Sequence, residues 1–256
     1  MRDMRPCWEP IGRILVQAAM LASLRHPNCV LFLGLVLDPP TCTAMMVTEL
    51  MACSAADLAW GIYSFANALQ PWAVRLRLLG QCSIGMSYLH SLSPPLLHQD
   101  LKSLNLLLDS KTDPRVCKIC DFGLAHQRED SATASTLGTP QWSAPEVLRQ
   151  DHFSKAADVW SFGVIVWEFA MRQQPFADMR PIRVAHEVAY KGLVLPVPTE
   201  RAVGGDKPSI DYADTGELPV GLGSLMQECF DAEPQQRPSF DEITARLHNC
   251  LATIKH

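Results

Sequence analysis

His98-Gln99-Asp100-Leu101-Lys102-Ser103-Leu104-Asn105, followed by the apolar run Leu106-Leu107-Leu108, decides how this chain of 256 residues is read. A short polar loop offers a carboxylate, an ammonium and an amide within six residues. Sixteen residues after Asn105 stands Asp121-Phe122-Gly123, a second carboxylate just past the apolar run Val116 to Cys120. Oxygen donors beside a cation suit a metal–phosphate held against an attacking hydroxyl.

Outward from that loop, the apolar run and the stretch 116–120 read as strands joined by a turn at Ser110 to Pro114. Upstream, Gln70-Pro71-Trp72 opens a long helix to about Ser91, with Pro at its first position. Earlier still, Ile14, Ala18, Leu21 and Leu24 fall at helical spacing, predicting a helix over 11–24 after an irregular 1–10. His26-Pro27-Asn28 stops it. Cys29 to Leu37 and Thr43 to Leu50, turned at Asp38-Pro39-Pro40, predict an antiparallel hairpin. Downstream, 124–143 is a long Ser/Thr/Ala-rich loop, and Ala144-Pro145-Glu146 leads a short helix. Val159 to Phe169 is apolar nearly all round, which places a helix at the centre of a domain. Residues 196–220 read as an inserted surface loop, and Ser239 with Glu242 forms a capping box for the last helix.

The net charge of −5 gives no electrostatic footprint for nucleic acid or an anionic membrane. No apolar run reaches the length of a membrane span. Ile14 to Leu24 behind Arg2 and Arg5 mimics a signal peptide, but Glu9 and Pro10 interrupt it. Nine scattered cysteines, an odd number, argue against a closed disulfide framework and for reduced thiols in a cytoplasmic protein. Cys117-Lys118-Ile119-Cys120 has no second pair, and a strand puts its two thiols on opposite faces, which disfavours zinc.

Taken together, Leu24-Arg25-His26-Pro27-Asn28, Val47-Thr48-Glu49, the loop 98–105, Asp121-Phe122-Gly123, Gly138-Thr139-Pro140-Gln141-Trp142-Ser143-Ala144-Pro145-Glu146, Asp158-Val159-Trp160-Ser161-Phe162-Gly163 and Arg237-Pro238-Ser239-Phe240 resemble a eukaryotic protein kinase, in that family's order. The resemblance is strongest to the Raf-like branch of the tyrosine-kinase-like group and runs from about Ile14 to Leu251. It implies an α+β protein-kinase fold and one kinase domain over 1–256. A partial N-lobe of a helix plus short antiparallel strands would cover about 11–51, and a mainly helical C-lobe 52–254.

By that resemblance, Asp100 orients or deprotonates a substrate hydroxyl and Lys102 leans a point charge toward the γ-phosphate of ATP. Asn105 and Asp121 supply oxygen ligands to Mg²⁺. Thr48 is the gatekeeper, Glu49 to Met51 the hinge whose backbone meets adenine, and Leu107 the apolar floor or ordinary strand core. His98 resembles a structural histidine stacked beneath Phe122, in line with Leu21 and Phe32. Asp158 accepts backbone hydrogen bonds from the loop, and Glu146 pairs with Arg237. Lys102 and Thr139 favour Ser/Thr over Tyr as acceptor.

The sequence also departs from the family. It holds no G-x-G-x-x-G and no strand lysine ahead of Ile14, and Gln17 stands where the resemblance expects a helical Glu. Gln99 replaces the arginine that by this resemblance receives an activation-segment phosphate, which argues against phosphorylation of this loop as the on-switch; by composition Ser131, Thr133, Ser135 and Thr136 are phosphosites or simply a polar mobile loop. The expected function is a protein Ser/Thr kinase with a protein substrate. The alternatives are a pseudokinase or scaffold acting through a kinase or scaffold partner, and a fragment whose natural chain begins earlier.

Overall fold

The structure, a computed structural model, describes residues 8–38, 43–61, 71–121, 139–151, 153–197 and 218–254. The side chains of residues 8–13, 16 and 17 are outside that description. The Gln17 side chain, Phe122, Gly123, Gly138, the four candidate phosphosites, the turn prolines Pro39 and Pro40, and most of the 196–220 insert therefore lie outside what is described.

Helix α1 (Trp8–Ser23) begins earlier than the periodicity predicts. Pro10 sits in its first turn, where backbone N–H groups have no intrahelical partner, so proline is tolerated rather than disruptive. Ala18, Leu21 and the following Leu24 are buried, as the spacing predicts. The His26-Pro27-Asn28 turn then docks on the strand that precedes Asp121. Val30 N–H donates to Ile119 O at 2.9 Å, Ile119 N–H to Asn28 O at 2.8 Å, and Asn28 Nδ2 to Cys117 O at 3.0 Å.

Strands β1 (Phe32–Asp38) and β2 (Thr43–Thr48) form an antiparallel two-stranded sheet, with Leu35 opposite Met46 and a register shift between Phe32 and Gly34. Beyond it, β3 (Cys53–Ser54), β4 (Leu106–Leu108) and β5 (Cys117–Ile119) make a second antiparallel sheet in that order. Its register places Leu107 between Ser54 and Lys118.

The helices follow the sequence closely. They are α2 (Ala55–Ala59), α3 (Trp72–Ser91), α4 (Pro145–Leu148), α5 (Lys155–Met171), α6 (Pro181–Lys191), α7 (Leu222–Cys229) and α8 (Phe240–Thr253). Pro71 caps α3 from outside instead of occupying its first helical position, because its backbone is extended. Every α5 residue from Ala157 to Met171 is buried, which is why that segment lacks a polar face. Phe162, Ile165 and Val166 of α5 belong to the same core as Leu76 and Leu79 of α3, Leu225 of α7, and Ile243 and Leu247 of α8. Gly163 lets α7 approach: a Cβ there would meet Cys229 Cβ at 2.7 Å. The capping box of α8 forms as read, with Ser239 Oγ accepting from Glu242 N–H and Glu242 Oε2 accepting from Ser239 N–H.

Candidate active site

The loop after α3 is built on a buried carboxylate. Asp158, in the first turn of α5, is fully buried. Its Oδ2 accepts from His98 N–H at 3.0 Å and lies 2.8 Å from His90 Nε2, while Oδ1 accepts from Gln99 N–H at 3.0 Å. A buried carboxylate needs such donors, and here they fix the loop's entry. They also hold Gln99 at a φ of 67°, a left-handed backbone that costs a non-glycine residue of order 1–3 kcal/mol.

His98 is wholly enclosed. Its Nε2 lies 3.1 Å from Cys120 O, and its Nδ1 accepts from Asp100 N–H at 3.4 Å, so the proton belongs on Nε2. Burial holds its pKa below the ordinary histidine value, with neighbouring carboxylates acting in the opposite sense. A neutral, fully bonded ring away from solvent suits a structural part.

The chain bends at Gln99 and Asp100 and is extended again at Lys102. Leu101 is buried at 0% exposure, and Asp100 and Lys102 emerge together on the other side. Lys102 Nζ donates to Asp100 Oδ2 at 2.5 Å and to Thr139 Oγ1 at 2.8 Å. Thr139 in turn donates to Asp100 Oδ1, from Oγ1 at 3.2 Å and from its backbone N–H at 3.3 Å. A 3₁₀ turn over Ser103–Asn105 then brings Asn105 back, and Asn105 Nδ2 donates to Asp100 O at 2.8 Å. Asn105 O accepts from Cys120 N–H at 2.9 Å, which sets the backbone of Asn105 beside the residue preceding Asp121. Asp121 itself is exposed, at a φ of 59°.

This geometry joins three of the polar groups that the sequence singled out, Asp100, Lys102 and Asn105, with Thr139, and places Asp121 on the neighbouring turn. The description "Protein kinase domain" fits residues 7–248 of the chain. The chain belongs to the protein kinase family. It is 36% identical over 238 residues to the serine/threonine-protein kinase CTR1 of Arabidopsis thaliana, covering 92% of this chain and 26% of that protein. To the mitogen-activated protein kinase kinase kinase 10 of Homo sapiens it is 34% identical over 241 residues, covering 92% of this chain and 23% of that protein. To the probable serine/threonine-protein kinase drkA of Dictyostelium discoideum it is 33% identical over 233 residues, covering 90% of this chain and 32% of that protein. The chain thus spans about a quarter to a third of the length of these relatives. They agree with the Raf-like, tyrosine-kinase-like resemblance of the motifs.

Protein kinase domains in general use ATP with Mg²⁺, and the donor chemistry here fits such a cation. Asn105 commits its amide nitrogen to Asp100 O, which leaves Oδ1 as a neutral oxygen donor, and Asp121 offers a carboxylate on the neighbouring turn. The residues expected to meet adenine are more constrained than the sequence implies. Thr48, at the end of β2, is exposed, while Met51 and Leu107 are half-buried. Glu49 N–H donates to Leu31 O at 3.0 Å, and the Glu49 carboxylate accepts from Leu31 N–H at 2.7 Å and Lys118 Nζ at 2.6 Å. Burial pushes that carboxyl up, but the bonds from Lys118 and Leu31 outweigh it and hold it below the usual carboxylate value. Lys118 is also the cross-strand partner of Leu107, so one residue links β4 to Glu49.

Two contributors escaped sequence reading. Thr139 stood only as an acceptor-preference marker, although it bridges Asp100 and Lys102. Glu168 passed as part of an apolar helix, and a lone carboxylate inside such a run was the available signal. The remaining ion pair is as read: Arg237 Nη1 and Nη2 reach Glu146 Oε1 and Oε2 at 2.6 and 2.9 Å, and the guanidinium lies 5.1 Å from the Trp160 ring centroid.

Proposed function

We propose that this chain is the catalytic part of a protein Ser/Thr kinase, transferring the γ-phosphate of ATP to a hydroxyl of a protein substrate. The observation that supports this reading most is the convergence of Asp100, Lys102, Thr139 and Asn105 within hydrogen-bond distance. Asp100 would align the substrate hydroxyl and take its proton as the phosphorus–oxygen bond forms. Lys102, now on Asp100 and Thr139, would turn its ammonium to the transferred phosphoryl group, where negative charge is spread over the oxygens. Asn105 and Asp121 would hold Mg²⁺, whose part is to neutralise phosphate charge. The backbone of Glu49 and Met51, with Thr48 and Leu107, would line the adenine site. Glu49 N–H is already bonded to Leu31 O, and Glu49 O accepts from Thr48 Oγ1 at 3.4 Å, so the Met51 backbone would be the main contact for the base.

No helix among the described residues is long and apolar enough to cross a membrane, and no disulfide joins the described cysteines. Burial pushes the Cys117 and Cys120 thiols up to about 12. A reducing, cytoplasmic setting is the reading these features favour.

Incubation with Mg-ATP and a generic Ser/Thr peptide tests the proposal. Phosphate should appear on Ser or Thr and not when Asp100 is replaced by Asn. If the unmodified chain transfers nothing to peptide or to itself, the catalytic reading fails. One observation favours a binding role in its place. Leu33, Val36, Met45 and Val47 of the β1–β2 sheet are 59%, 46%, 54% and 42% exposed, an apolar surface suited to a protein partner. Under that reading, no turnover accompanies a fold that is intact by circular dichroism.

A further inference from the structure

Glu168 is the one charged residue of α5 between Val159 and Met171, and it is completely buried. Its Oε1 accepts from Ser103 Oγ at 2.6 Å and from Trp60 Nε1 at 2.9 Å, and its Oε2 accepts from Trp142 Nε1 at 2.8 Å. The three donors come from the polar loop, the C-cap of α2 and the turn ahead of α4. The indoles of Trp60 and Trp142 sit 6.4 Å apart between centroids.

We propose that Glu168 is a positioning residue that sets the 98–105 loop and the Thr139–Trp142 turn in mutual register for phosphoryl transfer. This rests on the phosphotransferase reading given above. Two routes lead from the carboxyl to the reacting groups. Ser103 follows Lys102 directly and opens the turn that returns Asn105, whose N–H donates to Lys102 O at 2.9 Å. Trp142 N–H donates to Thr139 O at 3.0 Å, so the anchored indole fixes the turn that presents Thr139. Both routes end in the same cluster, since Thr139 bonds Asp100 and Lys102. Were the site only packing, an aliphatic side chain would fill it without the desolvation of a carboxyl.

The linkage is satisfied in either protonation state. Both indoles can only donate, whereas the Ser103 hydroxyl can turn from donor to acceptor when the carboxyl carries a proton. Burial drives the Glu168 carboxyl up to about 8, with the bonds from Ser103, Trp142 and Trp60 pulling the other way. Glutamine cannot do the same. Its amide nitrogen must face one indole N–H, so Glu168→Gln loses one of the three bonds while keeping size and shape.

The experiment compares the unmodified chain with E168Q, S103A and W142F, by hydrogen exchange and by peptide-phosphorylation kinetics. In E168Q, which strands one indole and keeps the Ser103 bond, exchange at 139–142 should rise about tenfold or more and exchange at 98–105 by less, with α7 and α8 unchanged. In S103A the rise should be confined to 98–105, and in W142F to 139–142. The kcat of each variant, expressed per folded protein with the folded fraction fixed by circular dichroism, should fall about tenfold while KM for ATP stays within about twofold; loss of folded protein alone would leave kcat on that basis unchanged. If E168Q does not fold, S103A and W142F carry the test alone. Unchanged exchange in both segments, or a rise in KM for ATP with kcat intact, overturns the proposal. If the unmodified chain transfers no phosphate but exchange responds as described, the phosphotransferase reading falls and the Glu168 linkage stands.

Discussion

The Oδ2 of Asp158 lies 3.0 Å from the backbone nitrogen of His98. That contact ties the first turn of α5 to the start of the polar loop, and Gln99 N–H joins it on the other oxygen. Asp158→Asn puts an amide N–H₂ against one of these donors. Stability should fall by about 1–3 kcal/mol, read as a lower urea midpoint with an unchanged slope. Amides of His98 and Gln99 should exchange faster than those of α8.

On the proposed function, Asp100 and Lys102 would act on the reaction and not on the fold. Both side chains are only partly buried, and their contacts lie at the surface end of the loop. Asp100→Asn should lower kcat by about 10²–10⁴-fold, the range for loss of a positioned base. Lys102→Met should also lower kcat, while thermal melting moves little. A large fall in melting temperature for either variant would contradict this division of labour.

Glu146 and Arg237 behave differently. Their side chains are 7% and 0% exposed, and the pair is bidentate. Glu146→Ala strands a buried guanidinium and should destabilise the chain by roughly 3–5 kcal/mol, measured by urea unfolding. Replacing both partners with apolar residues of similar volume should cost less than the single change.

The Glu168 carboxyl gives a pH dependence with a definite sign. Folding raises its pKa from 4.5 to about 8, because burial penalises the charge. The folded state therefore holds the proton more tightly, and this contribution is fully present below pH 4.5 and lost as pH rises toward about 8. Wild type minus Glu168→Gln, taken from urea unfolding at several pH values, should decline by up to about 1.4 kcal/mol per pH unit across that window. His98 acts with the opposite sign, since burial lowers its pKa, but it is common to both proteins and cancels.

Much of this was legible from residue order. The all-apolar run at 159–169 announced the central helix, Ser239 and Glu242 announced the last one, and short motifs located Asp158, Glu146 and Arg237. Local pattern also gave the hairpin and the two strands flanking the turn at 110–114. What pattern could not give is convergence. Trp60, Ser103, Trp142 and Glu168 are far apart in sequence and meet only after α2, the loop and α5 have packed. Glu49 looked like a backbone contributor because nothing in Val47-Thr48-Glu49 discloses that Lys118 arrives from β5. The early start of α1 was hidden by Pro10, which reads as a breaker unless one knows that it stands in a first turn.

Helix α5 carries a buried carboxylate near each end, Asp158 toward its start and Glu168 toward its finish. Ten residues of α-helix separate them, a rise of about 15 Å. Asp158 grips the loop at His98 and Gln99, and Glu168 grips it at Ser103. The helix is therefore a measuring rod: its fixed pitch sets the span between two anchor points, and Asp100 and Lys102 hang between them. Inserting one residue between the carboxylates would lengthen the rod by about 1.5 Å and swing one anchor by about 100°. Such a change would misplace the loop without touching any residue in it.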